Sequence, residues 1–125
     1  MSQPRVLLFD LGGVVVRWTG IAALSQITNL PREEVLARFA ASKTFYLYET
    51  GRCSDNAFAQ DMIETFSLPM SAGDFKEVWC SWVGETYDGV EEAILALREN
   101  FVTACLSNTN NLHWRHLERY FDFET

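Results

Sequence analysis

One segment constrains this chain more than any other: Val6-Leu7-Leu8-Phe9, closed by Asp10-Leu11 and followed by Gly12-Gly13-Val14. An unbroken apolar run ended by a breaker fits a parallel strand covered on both faces, since alternation is lost when neither face meets water. In open parallel sheets, functional groups collect beyond the carboxyl ends of the strands, where loop amides can also meet an anion. Asp10 falls at that place, and the paired glycines let a ligand approach the backbone closely. From this segment alone, an aspartate closing a strand before an ordinary turn is an equally good reading.

A second run of the same kind, Phe101-Val102-Thr103-Ala104-Cys105-Leu106, leads into Ser107-Asn108-Thr109-Asn110. Between the two runs the periodicity is helical. Pro31 with Glu33 and Glu34 marks a helix start ahead of Val35, Leu36 and Phe39. Ser54 opens a helix with Phe58, Met62 and Phe66 on one face. Ser71 is placed to cap a helix whose stripe is Phe75, Val78, Trp79 and Trp82. Asp88-Gly89 precedes a helix through Val90, Ile94 and Leu97, and Leu112, Trp114, Leu117 and Phe121 mark the last. The expected fold is therefore α/β: parallel strands at about 5–10 and 101–106, with an all-helical cap inserted over 17–87 and the core formed by 1–16 and 88–125. Two strands make a poor sheet, so self-association covering an incomplete sheet is expected unless more chain supplies it.

Length and composition set outer bounds. At 125 residues and 48% hydrophobic, a single globular domain with a sizeable core is expected. A net charge of −7 disfavours nucleic acid as a partner, whereas a small phosphorylated metabolite can still be held by local backbone donors or a metal. Cys53, Cys80 and Cys105 are odd in number and far apart, which reads as reduced thiols, with Cys105 a small buried hydrophobe. Met1 to Pro4 do not begin a targeting segment and no apolar run is long enough to span a bilayer, so a cytoplasmic location away from membranes is expected. His113 and His116, three apart on the last helix, read as surface or packing residues, without a third metal ligand nearby in sequence.

If the two strands are parallel neighbours, Asp10 and Ser107 converge. A hydroxyl and the turn amides near Asn108 could then hold an oxyanion while the Asp10 carboxylate attacks it. Leu8-Phe9-Asp10-Leu11-Gly12-Gly13-Val14 resembles motif I of the haloacid dehalogenase-like (HAD) hydrolases, and Leu106-Ser107-Asn108-Thr109-Asn110 resembles their motif II. Tyr48-Glu49-Thr50-Gly51-Arg52, with Ser54 and Phe58, is similar to the cap of a phosphatase-rich branch that includes sugar-phosphate phosphatases.

The resemblance implies a partial Rossmann-like core with a helical cap and a Mg²⁺-dependent phosphatase of small phosphorylated metabolites. Asp10 would be the nucleophile and, with the Gly12 carbonyl, a metal ligand. Leu11, Gly12, Ser107 and Asn108 would bind phosphate. Residues 13–18 would form the hinge, and Trp18, Tyr46, Tyr48 and Glu49 would select the substrate. Two departures stand against it. Gly12 occupies the place where such phosphatases usually carry a second aspartate, whose proton donation contributes ~10²–10⁴-fold. The lysine and acidic motifs that complete the family's metal site are expected beyond Thr125, and the lysines here, Lys43 and Lys76, both lie in the helical insertion. Two alternatives follow: a catalytically incomplete fragment or binding module, and a 2-haloacid dehalogenase, which needs no metal.

Overall fold

The computed structural model describes residues 5–123; Met1 to Pro4, read above as carrying no targeting signal, and Glu124 and Thr125 lie outside them. The chain divides into two compact units, one of residues 5–18 and 83–108 and the other of 19–82 and 109–123. A single domain was the expectation from length.

In the first unit, β1 (Val6–Phe9) pairs in parallel with β4 (Val102–Cys105), in register from Val6 opposite Val102 to Phe9 opposite Cys105. This is the predicted pairing. Two further strands had not been foreseen: β2 (Val16–Trp18) and β3 (Val83–Thr86) form a short antiparallel ribbon with an irregularity between Val16 and Trp18. The run Val14-Val15-Val16 carries the strand-forming composition that could have signalled β2. Helix α6 (Val90–Leu97) follows Gly89, whose φ of 81° accounts for glycine at that helix start.

The strands were expected to be covered on both faces, and here the structure corrects the reading. Val6, Leu8, Val102 and Leu106 are 49%, 62%, 64% and 72% exposed, and Cys105, expected to be buried, is exposed as well. A parallel strand is buried only when further strands flank it and helices pack on both faces, and a two-stranded ladder supplies neither. The apolar composition of these strands thus reports a preference that the described residues do not fulfil.

The second unit holds α1 (Gly20–Thr28), α2 (Arg32–Ala41), α3 (Lys43–Glu49), α4 (Asp55–Phe66), α5 (Ala72–Ser81) and α7 (Asn111–Glu118). Ser54 and Ser71 are N-caps as expected, accepting from the amides of Ala57 and Asp74 at 3.1 Å each. Each satisfies a donor that has no partner inside its helix. Leu24, Val35, Phe58, Met62, Phe75 and Trp79 are almost completely buried. Trp79 lies at the centre of an aromatic cluster, edge-on to Phe58 with centroids 5.0 Å apart and stacked with Phe75 at 5.8 Å. Such pairs add ~0.5–1.5 kcal/mol beyond the area they bury.

Helix α7 had been assigned to the strand-bearing core through the span 88–125. In the structure it packs on α5, with the His113 ring stacked on Trp79 at 4.5 Å and Leu117 buried. Its apolar stripe meets aromatic side chains of the helical unit, so 109–123 group with 19–82.

Candidate active site

Asp10 is exposed, one residue past β1, and its Oδ1 accepts the Leu11 amide at 2.8 Å. That amide is therefore engaged by the neighbouring carboxylate, whereas the sequence reading had assigned Leu11 to phosphate. The parallel ladder continues one step past Phe9, because the Leu106 amide donates to the Phe9 carbonyl at 2.9 Å. Ser107 follows on β4's side as Asp10 follows on β1's side. Adjacent strands lie ~4.8 Å apart. The ladder therefore brings the carboxylate and the hydroxyl residue to neighbouring strand ends across 97 positions of sequence.

The glycines are explained by the turn after Asp10. The Leu11 carbonyl accepts from Val14, Val15 and Val16 at 3.1, 2.8 and 3.0 Å, and the Gly13 amide donates to the Val16 carbonyl at 2.8 Å. Gly13 stands at φ 81°, where a side chain would be strained. Gly12 is different: a Cβ added to it would meet only the Cβ of Trp18, at 3.8 Å, which is ordinary contact. The turn-closing bonds end on the Leu11 and Val16 carbonyls, so the Gly12 carbonyl is outside them. Ser107 Oγ donates to the Asn108 carbonyl at 3.3 Å, a long bond that a better acceptor would displace.

The remaining candidates divide by burial. Trp18 is half-buried on β2 beside Gly12, while Arg17 next to it lies over the Tyr87 ring at 4.7 Å. In the helical unit Tyr46 is 61% exposed, and Glu49 is exposed at the end of α3, where partial desolvation raises its carboxyl above the ordinary range. Tyr48 is only 2% exposed and stacks on Phe58 at 4.2 Å. Its hydroxyl donates to Asp55 Oδ1 at 2.6 Å and accepts the Leu112 amide at 3.2 Å. Burial first, and then Asp55, push that hydroxyl above its ordinary pKa, so it remains a donor. These contacts commit Tyr48 to packing rather than to substrate.

The sequence reading gave no role to Asp55 or Asn111, and took Asn110 only as the end of the motif II segment. Asn110 caps α7, accepting the His113 amide at 3.0 Å and Trp79 Nε1–H at 3.2 Å on the same oxygen. Its Nδ2 faces His113 Nδ1 at 3.2 Å, while His113 Nε2 lies 2.8 Å from the Trp79 carbonyl. The carbonyl needs a donor and Asn110 Nδ2 needs an acceptor, so the ring is neutral with its proton on Nε2. Burial lowers its pKa to about 4. An N-cap asparagine two residues past Asn108 was legible in sequence; its buried partners were not.

Among the described residues no group of three or more His, Cys, Asp and Glu side chains is arranged to hold a metal. Beside the end of β1, the Asp10 carboxylate and the Gly12 carbonyl are hard oxygen donors of the kind Mg²⁺ accepts alongside water and phosphate. Among the described residues no helix is long and apolar enough to cross a membrane.

Parallel strands carrying an acid and a hydroxyl just past their carboxyl ends, with a helical insertion between them, define an α/β core of the Rossmann-like class. No family model matches the sequence. Among solved structures, a HAD family enzyme, bt-2542 from Bacteroides thetaiotaomicron, in complex with magnesium and inorganic phosphate, is similar over 94% of this chain and 60% of its own length, with 25% identity and a TM-score of 0.69. A HAD-like family hydrolase from Porphyromonas gingivalis matches over 89% of this chain and 54% of its own, at 20% identity and TM-score 0.60. The HAD-hydrolase YfnB of Bacillus subtilis, bound to magnesium, matches over 94% and 60%, at 15% identity and TM-score 0.55. The latter two bear on the fold alone. The chain spans about 60% of the length of the Bacteroides enzyme. With both motifs at paired strand ends, the chain is similar in fold and motif placement to enzymes of the haloacid dehalogenase-like superfamily.

Proposed function

We propose that the protein is a Mg²⁺-dependent phosphatase of small phosphorylated metabolites, acting through an aspartyl-phosphate on Asp10. The observation that carries this reading is the β1–β4 register, which brings Asp10 and Ser107 to adjacent strand ends. The magnesium and phosphate complex of the Bacteroides enzyme supports it from outside.

In this reading Asp10 Oδ1 is held by the Leu11 amide, which leaves Oδ2 to attack phosphorus. The new Oδ2–P bond forms as the bond from phosphorus to the leaving oxygen breaks. Ser107 Oγ turns from the Asn108 carbonyl to a phosphoryl oxygen, with the Asn108 backbone beside it. The Gly12 carbonyl and the Asp10 carboxylate would hold the magnesium ion, which when bound neutralises charge on the transferred phosphoryl group. Water then hydrolyses the acyl phosphate and returns Asp10. Gly12 donates no proton, so the departing oxygen must be a good leaving group, as an anomeric sugar oxygen is. Trp18, Tyr46 and Glu49 remain the candidates for substrate selection, and a cytoplasmic setting suits such metabolites.

The test is phosphate release from a sugar-phosphate panel with magnesium, comparing the natural protein with Asp10→Asn. Loss of turnover below ~10⁻³ of the starting rate is expected for removal of a nucleophile; undiminished turnover overturns the reading. The dehalogenase alternative would instead give halide release without added metal. The second reading is a catalytically incomplete fragment or binding module. Magnesium-dependent hydrolysis lost in Asp10→Asn removes it.

A further inference from the structure

The turn after Asp10 is held from the far side of the β2–β3 ribbon. Two hydrogen bonds to Val16 bracket Gly12: the Val16 amide donates to the Leu11 carbonyl at 3.0 Å, and the Gly13 amide donates to the Val16 carbonyl at 2.8 Å, so that Gly12 and Val16 form a parallel bridge. Val16 is itself paired with Thr86 on β3. Its neighbours on either side both meet Tyr87. The Val15 carbonyl accepts the Tyr87 amide at 3.0 Å, and the Arg17 guanidinium lies 4.7 Å from the centre of the Tyr87 ring. Arg17 stands at the irregularity of the ribbon, one residue of β2 facing two of β3, since Val16 pairs with Thr86 and Trp18 with Val83. There Gly84 lets the strands approach closely, because a Cβ on it would lie 3.3 Å from the Arg17 Cβ. Tyr87 is anchored in turn, its carbonyl accepting the Val90 amide at 3.2 Å where α6 begins. A continuous path of contacts within the strand-bearing unit therefore runs from α6 through Tyr87 to Arg17 and Val16, and ends at Gly12.

We infer that Arg17 and Tyr87 are positioning residues for Gly12, acting through Val16. This inference rests on the reading of the Gly12 carbonyl as a magnesium ligand. A carbonyl held in place before the ion arrives binds it more tightly than one that must be ordered on binding, because the entropy of ordering the backbone has already been met by folding. Asp10 is fixed by its own bond to the Leu11 amide. Gly12 has no side chain to fix it, so its place depends on Val16, and Val16 on the residues that hold β2 against β3. The attraction of the Arg17 cation to the Tyr87 ring ties the middle of β2 to the residue that leads into α6. Neither residue touches substrate in this role.

The experiment measures backbone order parameters of the full chain by ¹⁵N relaxation. Magnesium chloride is then titrated in the presence of inorganic phosphate while following the Gly13 amide, which shares a peptide unit with the Gly12 carbonyl. Arg17→Gln removes the cation from an exposed side chain; Tyr87→Leu removes the ring and keeps the backbone amide; Tyr87→Phe keeps the ring and serves as the rescue. Order parameters at Gly12 and Gly13 are expected to fall from ~0.85 toward ~0.6 in the first two variants, and to stay near the starting value in Tyr87→Phe. Magnesium affinity read at the Gly13 amide is expected to fall about threefold in the same two variants, the size of one exposed cation–π contact. Unchanged order at Gly12 and Gly13, an equal loss at Ile94 and Ala104, or a loss in Tyr87→Phe as large as in Tyr87→Leu overturns the inference. If order falls as expected but magnesium leaves the Gly13 amide of the unsubstituted chain unmoved, the positioning stands and the reading of Gly12 as a metal ligand falls.

Discussion

Acid should loosen the helical unit through one residue. His113 is buried and neutral between Asn110, Trp79 and the Trp79 carbonyl, with its pKa lowered from 6.5 to about 4, chiefly by burial. Of the groups around it, only His116 adds a charge effect, and that too lowers the pKa. Above pH 6.5 neither folded nor unfolded chain protonates the ring, and its neutral contacts contribute in full. Between 6.5 and about 4 the unfolded chain takes up a proton that the folded chain refuses, so stability falls as pH falls. At 1.36 kcal/mol per pH unit the loss over that window is about 3 kcal/mol. A loss of this size is a large share of the 5–15 kcal/mol typical of a domain. Urea unfolding followed by tryptophan fluorescence at pH 7.5, 6, 5 and 4 measures it. His113→Gln loses the stack on Trp79 and is less stable at every pH, but it has no proton to take up in this window. The difference between the two proteins should therefore shrink by about 3 kcal/mol from pH 7.5 to 4. Glu49 is present in both proteins, so its contribution cancels. A difference that stays constant with pH refutes the argument that burial keeps this ring neutral.

Three further outcomes follow from burial, backbone geometry and proton donation. Phe58→Ala, at the fully buried centre of the aromatic cluster, should cost ~3–5 kcal/mol by chemical denaturation, whereas Leu8→Ala on the exposed strand face should cost less than ~1 kcal/mol; similar costs would mean that the β1 face is covered in solution. Gly12→Ala should fold with little loss while Gly13→Ala, forced to φ 81°, should lose ~1–2 kcal/mol by thermal melting, and Gly12→Asp should speed hydrolysis of alkyl phosphates by ~10²-fold or more by supplying the missing proton donor.

The elements that sequence made legible are those whose signals are local. Ser54 and Ser71 announce helix starts because an N-cap needs only the three residues that follow it. The stripes through Phe58, Met62 and Phe66 and through Phe75 and Trp79 specify a buried face without knowledge of what it meets. The strands β1 and β4 were readable because each is an apolar run closed by a polar residue, and their parallel pairing followed from the expected α/β sheet.

Tertiary structure decided what depends on partners distant in the chain. The β2–β3 ribbon joins strands of three and four residues, too short for periodicity to register and paired across more than sixty positions. Tyr48 and Tyr46 lie two residues apart on one helix, yet one is buried against Phe58 and the other exposed, a difference set by α4 and α7 rather than by residue type. The strand faces were expected to be buried and are exposed, since burial requires covering elements that apolar composition cannot provide. Sequence by itself determined which residues could be strand, helix, cap and nucleophile, because those preferences are carried by the residue and its near neighbours. Only the packed structure decided which of them are covered, because a hydrogen bond or a buried face exists only when its partner arrives.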